Sequence, residues 1–404
     1  MKLSITKSLF LTLLLVYNST YSSVIAFSYK TLIASLILVM YLCLKEGLKI
    51  DRLFINFTFF FGTVSLFLLF SLPEFDFFLT GYNYLKILYA YLSIKAIGSD
   101  FFKHIVNIAY YGAIISFPLY VLQLLNYDLA FRIVGFVQHN IDFLSWRNSQ
   151  MANNVFFTIN GDGAFRNSGF MWEPKGFASF IVVAMIFRLL VNGLKMNDRK
   201  ILVFFIAILT TLSTTGILSL FLISSFYILN KNRQLLLLIL PAFLVVSVYV
   251  FMTSEILYKK ILYEISLKDE HEMLLNKDDY ESDVYSLGRT GSLLVDFKDF
   301  TKRPIFGYGF TRENRTQSAH VKLVRVNGFS DLLAIYGTGI ILYFHRHYVF
   351  LKLMNRRKYS YIMILILTFI FLYFASTFTG HPFWTSLLFA SVIVPKSNIE
   401  RKMI

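Results

Sequence analysis

Apolar residues in this chain gather into runs long enough to cross a lipid bilayer, and that clustering decides the fold class. A bilayer's hydrocarbon core is about 30 Å thick and is crossed by about 20 helical residues. Inside it only helices and closed barrels satisfy their own backbone polar groups. Successive runs start at Ser8, Thr31, Leu53, Tyr84 and Ile105, with short polar breaks between them. Charged residues make up 16% of the 404 and mean hydropathy is +0.60, whereas soluble proteins carry roughly 25% charged residues. A soluble enzyme, a disordered chain and a collagen-like fibre are thereby excluded. The single cysteine, Cys43, lies in an apolar run. It reads as a packing residue and leaves no intrachain disulfide or thiolate metal site.

The runs predict an all-α polytopic membrane protein with about twelve segments: 8–27, 31–44, 53–72, 84–97, 105–125, 170–191, 201–211, 217–229, 235–253, 328–344, 361–374 and 383–394. Lys2 and Lys7 ahead of an apolar run resemble a signal peptide. No small-residue cleavage site follows, however, and a second run begins at Thr31, so the first run reads as a retained span. The stretch 201–229 reads either as one tilted helix or as two short segments broken at Ser213-Thr214-Thr215-Gly216. Basic residues decide between them. With the break, 21 Lys/Arg fall on one side in short loops and termini, and Lys30 alone falls in the short loops opposite. That asymmetry marks the cytoplasmic side. Each half then reaches only roughly 16–20 Å, which puts the Ser-Thr-Thr-Gly turn at membrane depth. Non-helical backbone there is buried in protein or lines a wet cavity, and an interrupted helix is a pointer to a binding site.

Both termini come out cytoplasmic. The stretches 126–169 and 254–327 come out as two large extracytoplasmic loops on a single membrane domain, 1–404, without internal repeats. The net charge of +15 is thus a topological signal and not a sign of nucleic-acid binding. The second loop holds 12 Lys/Arg and 12 Asp/Glu. Within it, 292–300 carries apolar residues at 293, 294, 297 and 300, a helical stripe. Pro304 and Gly307-Tyr308-Gly309 stop it.

Several polar residues near the outer ends of spans are candidates for chemistry. Arg166 and Glu173 flank the start of the sixth span, where Pro174 suits a first helical turn. The helix N-terminus, Arg166 and Lys175 together make an anion cradle suited to phosphate or pyrophosphate. The structural alternative is an interfacial anchor, with Trp172 at headgroup level and Glu173 paired to Lys175 or capping the helix. Arg289, in Leu-Gly-Arg-Thr-Gly, is either a pyrophosphate clamp or a solvated loop arginine; Arg303, Arg312, Arg315 and Arg325 are equally open. His320 precedes the tenth span, and its imidazole is able to take a proton from a sugar hydroxyl near neutral pH. Read structurally, it is a surface histidine. His345 and His347 read as interfacial, and His381 either lines the same cavity or packs. Lys86 is the one clear basic residue well inside a span. No P-loop, dinucleotide fingerprint or HExxH is present, so neither a metal nor a cofactor is expected.

The motifs also have an order. Arg166-Asn-Ser-Gly-Phe-Met-Trp-Glu-Pro174 opens one span and Leu212-Ser-Thr-Thr-Gly-Ile-Leu218 breaks the next. Gly288-Arg289 precedes Pro304-Ile-Phe-Gly-Tyr-Gly-Phe310, and Asn327-Gly-Phe-Ser-Asp331 opens a later span. The set, over 166–339, resembles the O-antigen polymerase (Wzy-type) and O-antigen ligase superfamily. The resemblance implies a GT-C-like fold and a metal-independent glycosyltransferase. Its implied substrate is an undecaprenyl-pyrophosphate-linked oligosaccharide, used at the outer face of a bacterial inner membrane. It implies Arg166 and Arg289 as pyrophosphate holders and Glu173 as the acid of the Glu-Pro motif. Thr214, Thr215 and Asn327 would line the cavity, and His320 or Glu173 would be the acceptor base. It also implies a chain-length regulator and a flippase of the same pathway as partners, besides membrane lipid. Ligases of this pattern carry a His beside the Asn. Here Arg325 and Val326 precede Asn327, which favours polymerase over ligase. A lipid-linked oligosaccharide flippase or a membrane scaffold are the readings from other classes.

Overall fold

A computed structural model describes residues 4–20, 29–140, 151–160, 165–192, 198–231, 284–311, 313–317, 322–354, 359–375 and 378–394. Over these the chain is mostly helical, with two short strand pairs. Five helices come first: α1 (Ile5–Tyr17), α2 (Tyr29–Lys45), α3 (Arg52–Ser71), α4 (Phe77–Ile97) and α5 (Asp100–Leu125). Then come α6 (Tyr127–Asn140), the antiparallel hairpin β1 (Met151–Asn153) and β2 (Thr158–Asn160), α7 (Pro174–Asn192), α8 (Arg199–Thr210) and α9 (Thr214–Lys231). Strand β3 (Val284–Ser286) leads into α10 (Arg289–Lys302) and pairs in parallel with β4 (Lys322–Val324). The last described helices are α11 (Gly328–Tyr336), α12 (Ile340–Met354), α13 (Tyr359–Ala375) and the short α14 (Pro382–Ser386), which runs on as 3-10 helix through Leu387–Ile393.

Three of the described helices, α3, α5 and α7, hold stretches long and apolar enough to cross a membrane, and several shorter apolar helices pack with them. Helix α7 is apolar all round, which suits a helix at the centre of a bundle. Phe177, Phe180, Ile181 and the run Val182–Phe187 are fully buried, and α7 packs on α5, α8 and α9. Helix α3 instead turns Phe59, Phe67 and Phe70 outward, as suits a helix facing lipid. Polar contacts collect at the ends of these helices. At one end Lys95 pairs with Asp51 at 2.7 Å, Arg188 pairs with Asp198, and Lys200 donates to Asn107 at 2.6 Å. The described parts of both loops gather at the other end. Tyr17 at the end of α1 donates to the Val155 carbonyl at 2.9 Å, and Arg303 donates to the Ser71 carbonyl at 2.6 Å.

The structure refines the segment boundaries. The run 328–344 is not one helix. It breaks at Gly337, where φ is +57° and a Cβ would lie 2.5 Å from the Pro304 carbonyl oxygen. The loop 126–169 contains a helix, α6. His347 is buried against Phe369 and Tyr373 and not interfacial. Lys86 turns into the protein, its ammonium 4.3 Å from the Tyr82 ring centre. The segment 235–253 lies outside the described residues.

Candidate functional site

Three sequence fragments meet at the loop-bearing end. The first is the turn before α7, organised by the fully buried Asn167. Its Oδ1 accepts from the Gly169 N–H at 2.9 Å, its Nδ2 donates to Ser116 Oγ and Thr210 Oγ1, both at 3.0 Å, and its own N–H donates to the Thr210 carbonyl. Gly169 has φ +50°, and a Cβ there would lie 2.5 Å from the Phe177 ring. Only glycine combines that backbone with that approach. Pro174 then opens α7, as its fixed φ favours.

The second fragment is the break between α8 and α9. It falls at residues 211–213, and Thr214 is already helical. The last carbonyls of a helix have no partner within it. Arg166 supplies one, its Nε donating to the Thr211 carbonyl at 3.1 Å. Leu212 follows in a left-handed conformation (φ 47°), and Ser213 caps α9 through its Oγ, 3.3 Å from the Gly216 N–H. Gly216 lets α9 lie against α7, because a Cβ there would come 2.8 Å from that of Ala178. Thr215 is buried and Thr214 half-buried in the first turn of α9. Two helix N-termini, those of α7 and α9, thus open toward the same end.

The third fragment joins the starts of α10 and α11. Asn327 is buried and caps α11, its Oδ1 accepting from Phe329 N–H at 3.1 Å and Ser330 N–H at 3.2 Å. Its Nδ2 reaches back to the carbonyl of Arg289 at 3.4 Å, and Ser292 Oγ accepts from the Val326 N–H at 3.0 Å. Arg289, the first residue of α10, is close enough to Arg166 for the two charges to repel. Burial is the main cause that lowers the pKa of Arg166, the Arg289 charge adds to it, and Glu173 opposes both. Glu173 also accepts an ion pair from Lys175 at 3.1 Å. Arg166, Arg289, Lys175 and Glu173, expected together from sequence, therefore converge with a net charge of +2 beside a helix N-terminus, an arrangement that favours an anion. Two arginines present forked donors that match phosphate oxygens.

Two further parts frame the cluster. Trp172, next to Glu173, stacks on the buried His381 ring at 4.9 Å and 10°. The Nδ1–H of His381 donates to the Ser19 carbonyl at 2.7 Å, which ties the Glu-Pro turn to α1 and to the start of α14. His320 and Arg312 lie outside the described residues. Among the described residues, no group of three or more His, Cys, Asp or Glu is arranged to hold a metal ion.

An ionic core under α10 and α11 was not legible in the sequence. Arg315 donates to Asp331 at 2.7 Å and to Asp296 at 2.8 Å, and Arg325 reaches Asp296 at 3.0 Å and Asp299 at 2.9 Å. Ser330 Oγ donates to Asp296 at 2.6 Å. Burial, helped by Asp331 and opposed by Arg315 and Arg325, pushes the Asp296 pKa up to about 6. Burial works against the Arg315 charge, but Asp331, Asp296 and Asp299 outweigh it and raise its pKa. The apolar stripe of α10 is therefore not its inner face: Val295, Asp296 and Asp299 are buried, while Leu294 and Phe297 are exposed. Of the four other loop arginines, Arg315 and Arg325 hold this core and Arg303 holds the end of α3.

Compared with known proteins, the chain matches no family model, no curated protein and no solved structure.

Proposed function

We propose that the chain is a polysaccharide polymerase of the O-antigen type. On this reading it is a glycosyltransferase that needs no metal and joins undecaprenyl-pyrophosphate-linked oligosaccharide units at the outer face of a bacterial inner membrane. About twelve spans in a GT-C-like arrangement would carry it. The supporting observation is the approach of Arg166 to Arg289, from loops far apart in sequence, beside Glu173 and the start of α7.

In the reaction an acceptor hydroxyl attacks the anomeric carbon of the growing chain. The bond from that carbon to the lipid pyrophosphate breaks, and the hydroxyl proton passes to a base. Charge then builds on phosphate oxygens. Preorganised donors aimed at developing charge are the largest lever available, and Arg166, Arg289, Lys175 and the α7 N-terminus supply them. On this reading Thr214 and Thr215 would line the approach, whereas Asn327, buried as the cap of α11, acts from behind by holding the Arg289 carbonyl. Glu173, which pairs with Lys175, and His320 are the candidate bases.

Purified protein incubated with a defined lipid-linked repeat unit tests the reading: a ladder of lipid-linked oligomers is expected. In a deletion strain, single lipid-linked repeats should accumulate on the outer face. Full-length lipid-linked polymer in that strain would make the chain a ligase, and repeats trapped on the cytoplasmic face would make it a flippase.

A further inference from the structure

The two carbonyls that end α8 both go to the turn that carries Arg166. In a continuous helix the carbonyls of Thr210 and Thr211 would accept from the N–H groups of Thr214 and Thr215. Here Leu212, at φ 47°, takes the chain out of the helix; among the described residues no other residue besides glycine has a positive φ. That conformation is costly for a residue with a Cβ and persists only where the surrounding structure fixes it. The freed carbonyls have specific partners. The Asn167 N–H donates to the Thr210 carbonyl at 3.0 Å, and Arg166 Nε donates to the Thr211 carbonyl at 3.1 Å. The negative end of the helix dipole favours a cation at that place.

The Asn167 side chain locks that attachment. Its Nδ2 donates to Ser116 Oγ and to Thr210 Oγ1, both at 3.0 Å, and these hydroxyls in turn donate to the carbonyls of Ala113 and Ala207, both at 2.8 Å. With both hydroxyl protons engaged, the site between α5 and α8 calls for two donors, which a side-chain amide supplies and a serine or carboxylate does not. The Asn167 Oδ1 accepts from the Gly169 N–H at 2.9 Å, so every polar group of this buried side chain is used. For Arg166 the consequence is directional. A guanidinium is planar and presents its donors as a rigid fork. Once Nε is committed to the Thr211 carbonyl, the plane is set and the Nη1–Nη2 edge is the forked pair that remains to grip an oxyanion. We propose that Asn167 and the end of α8 are the positioning device of the anion site: they hold Arg166 by its Nε and turn its Nη edge to the phosphate oxygens. The break between α8 and α9 then acts by freeing the carbonyl that aims Arg166, besides any lining of a cavity. The identity of the anion as a pyrophosphate rests on the proposed function.

The test is a double-mutant cycle on the full chain in nanodiscs, with inorganic pyrophosphate as the probe and calorimetric titration as the readout. Arg166→Ala should weaken pyrophosphate binding roughly ten- to hundredfold, the scale of one hydrogen bond to a charged group. Asn167→Ser should weaken it too, and the double variant should bind no worse than Arg166→Ala alone, because a residue that acts through Arg166 then has nothing left to aim. Thr210→Val, which keeps the shape and removes one acceptor of the Asn167 amide, should show the same non-additivity and carries the test if Asn167→Ser does not insert. With arginine labelled in its side-chain nitrogens, the Nε–H signal that Arg166→Lys abolishes should exchange with water faster in Asn167→Ser and in Thr210→Val. Weaker binding in Arg166→Ala with wild-type binding in Asn167→Ser and Thr210→Val would overturn the positioning role alone, and so would losses that simply add. Pyrophosphate binding that Arg166→Ala leaves unchanged would overturn the anion site itself and the proposed function with it.

Discussion

Replacing Arg315 by Met removes the cation around which the second loop is built. Its side chain is 3% exposed and bonds to Asp331 at 2.7 Å and Asp296 at 2.8 Å, while Asp296 and Asp299 are fully buried. The cluster holds three carboxylates and two guanidinium groups, so its formal charge moves from −1 to −2 and Arg325 alone faces three acids. Removing one member of a buried pair costs about 3–5 kcal/mol, against about 0–1 kcal/mol for an exposed pair. Asp296→Asn should cost much less, because it leaves two acids facing two arginines and removes a carboxylate whose charge burial already disfavours, with a pKa raised to about 6.

The pH dependence carries a sign. The pKa of Asp296 is about 6 in the fold, against about 3.9 in the unfolded chain. The folded protein therefore binds more protons between those values. This contribution to stability is fully present below about pH 4 and lost as pH rises through about 6. Without Arg315 the carboxylates are pushed further up, so the penalty should be largest at pH 7.5 and shrink at pH 5. Proteolysis of the second loop in nanodisc-held protein, which reports the population of the open form, measures this at both pH values. Arg315→Met within about 1 kcal/mol of wild type at pH 7.5, no more than an exposed pair is worth, would refute the reasoning. Asp296→Asn as damaging as Arg315→Met would refute it too.

Arg166→Ala and Arg289→Ala should each abolish polymer with the protein still inserted, a loss on the order of 2.7–4 kcal/mol in activation free energy. Lys at either position should rescue poorly for want of the fork, and polymer length distributions check both. His320→Ala should slow transfer by about 10²–10⁴ if His320 is the base; full activity there with loss in Glu173→Gln would assign the base to Glu173. Gly169→Ala should destabilise by at least about 2 kcal/mol, from the left-handed backbone and the crowded Phe177 ring, read as a lower midpoint of thermal unfolding. Cysteines placed at Asn160 and Lys277 should both react with a membrane-impermeant reagent from outside. Protection of Lys277 while Asn160 reacts would restore a single helix over 201–229.

What was legible in the sequence is what local chemistry dictates. The apolar runs mark the helices, Pro174 marks the start of α7, and Ser213 to Gly216 mark an interruption, because each acts within a turn or two of itself. The convergence of Arg166, Glu173 and Arg289 was legible only through the order of motifs. The bonds that hold its two halves, Asn167 to Thr210 and Asn327 to Arg289, join groups about 40 residues apart and leave no periodicity. Helix α6 was hidden for a different reason. A spanning helix announces itself by length, whereas α6 has only 14 residues and buries Ala130 and Val134 against the hairpin, and so reads as an ordinary loop. Helix α10 shows the limit most sharply. Its apolar stripe at 293, 294, 297 and 300 suggests which side packs, yet Asp296 and Asp299 are the buried ones. A carboxylate goes inside only when cations meet it there, and Arg315 and Arg325 arrive from 16 or more residues downstream. Periodicity finds a helix of this kind, but which face turns inward is decided by charges that pattern along one helix does not contain. The loop that carries Arg289 is therefore held by its ion pairs, and that is why its hold should depend on pH while the apolar bundle beneath it should not.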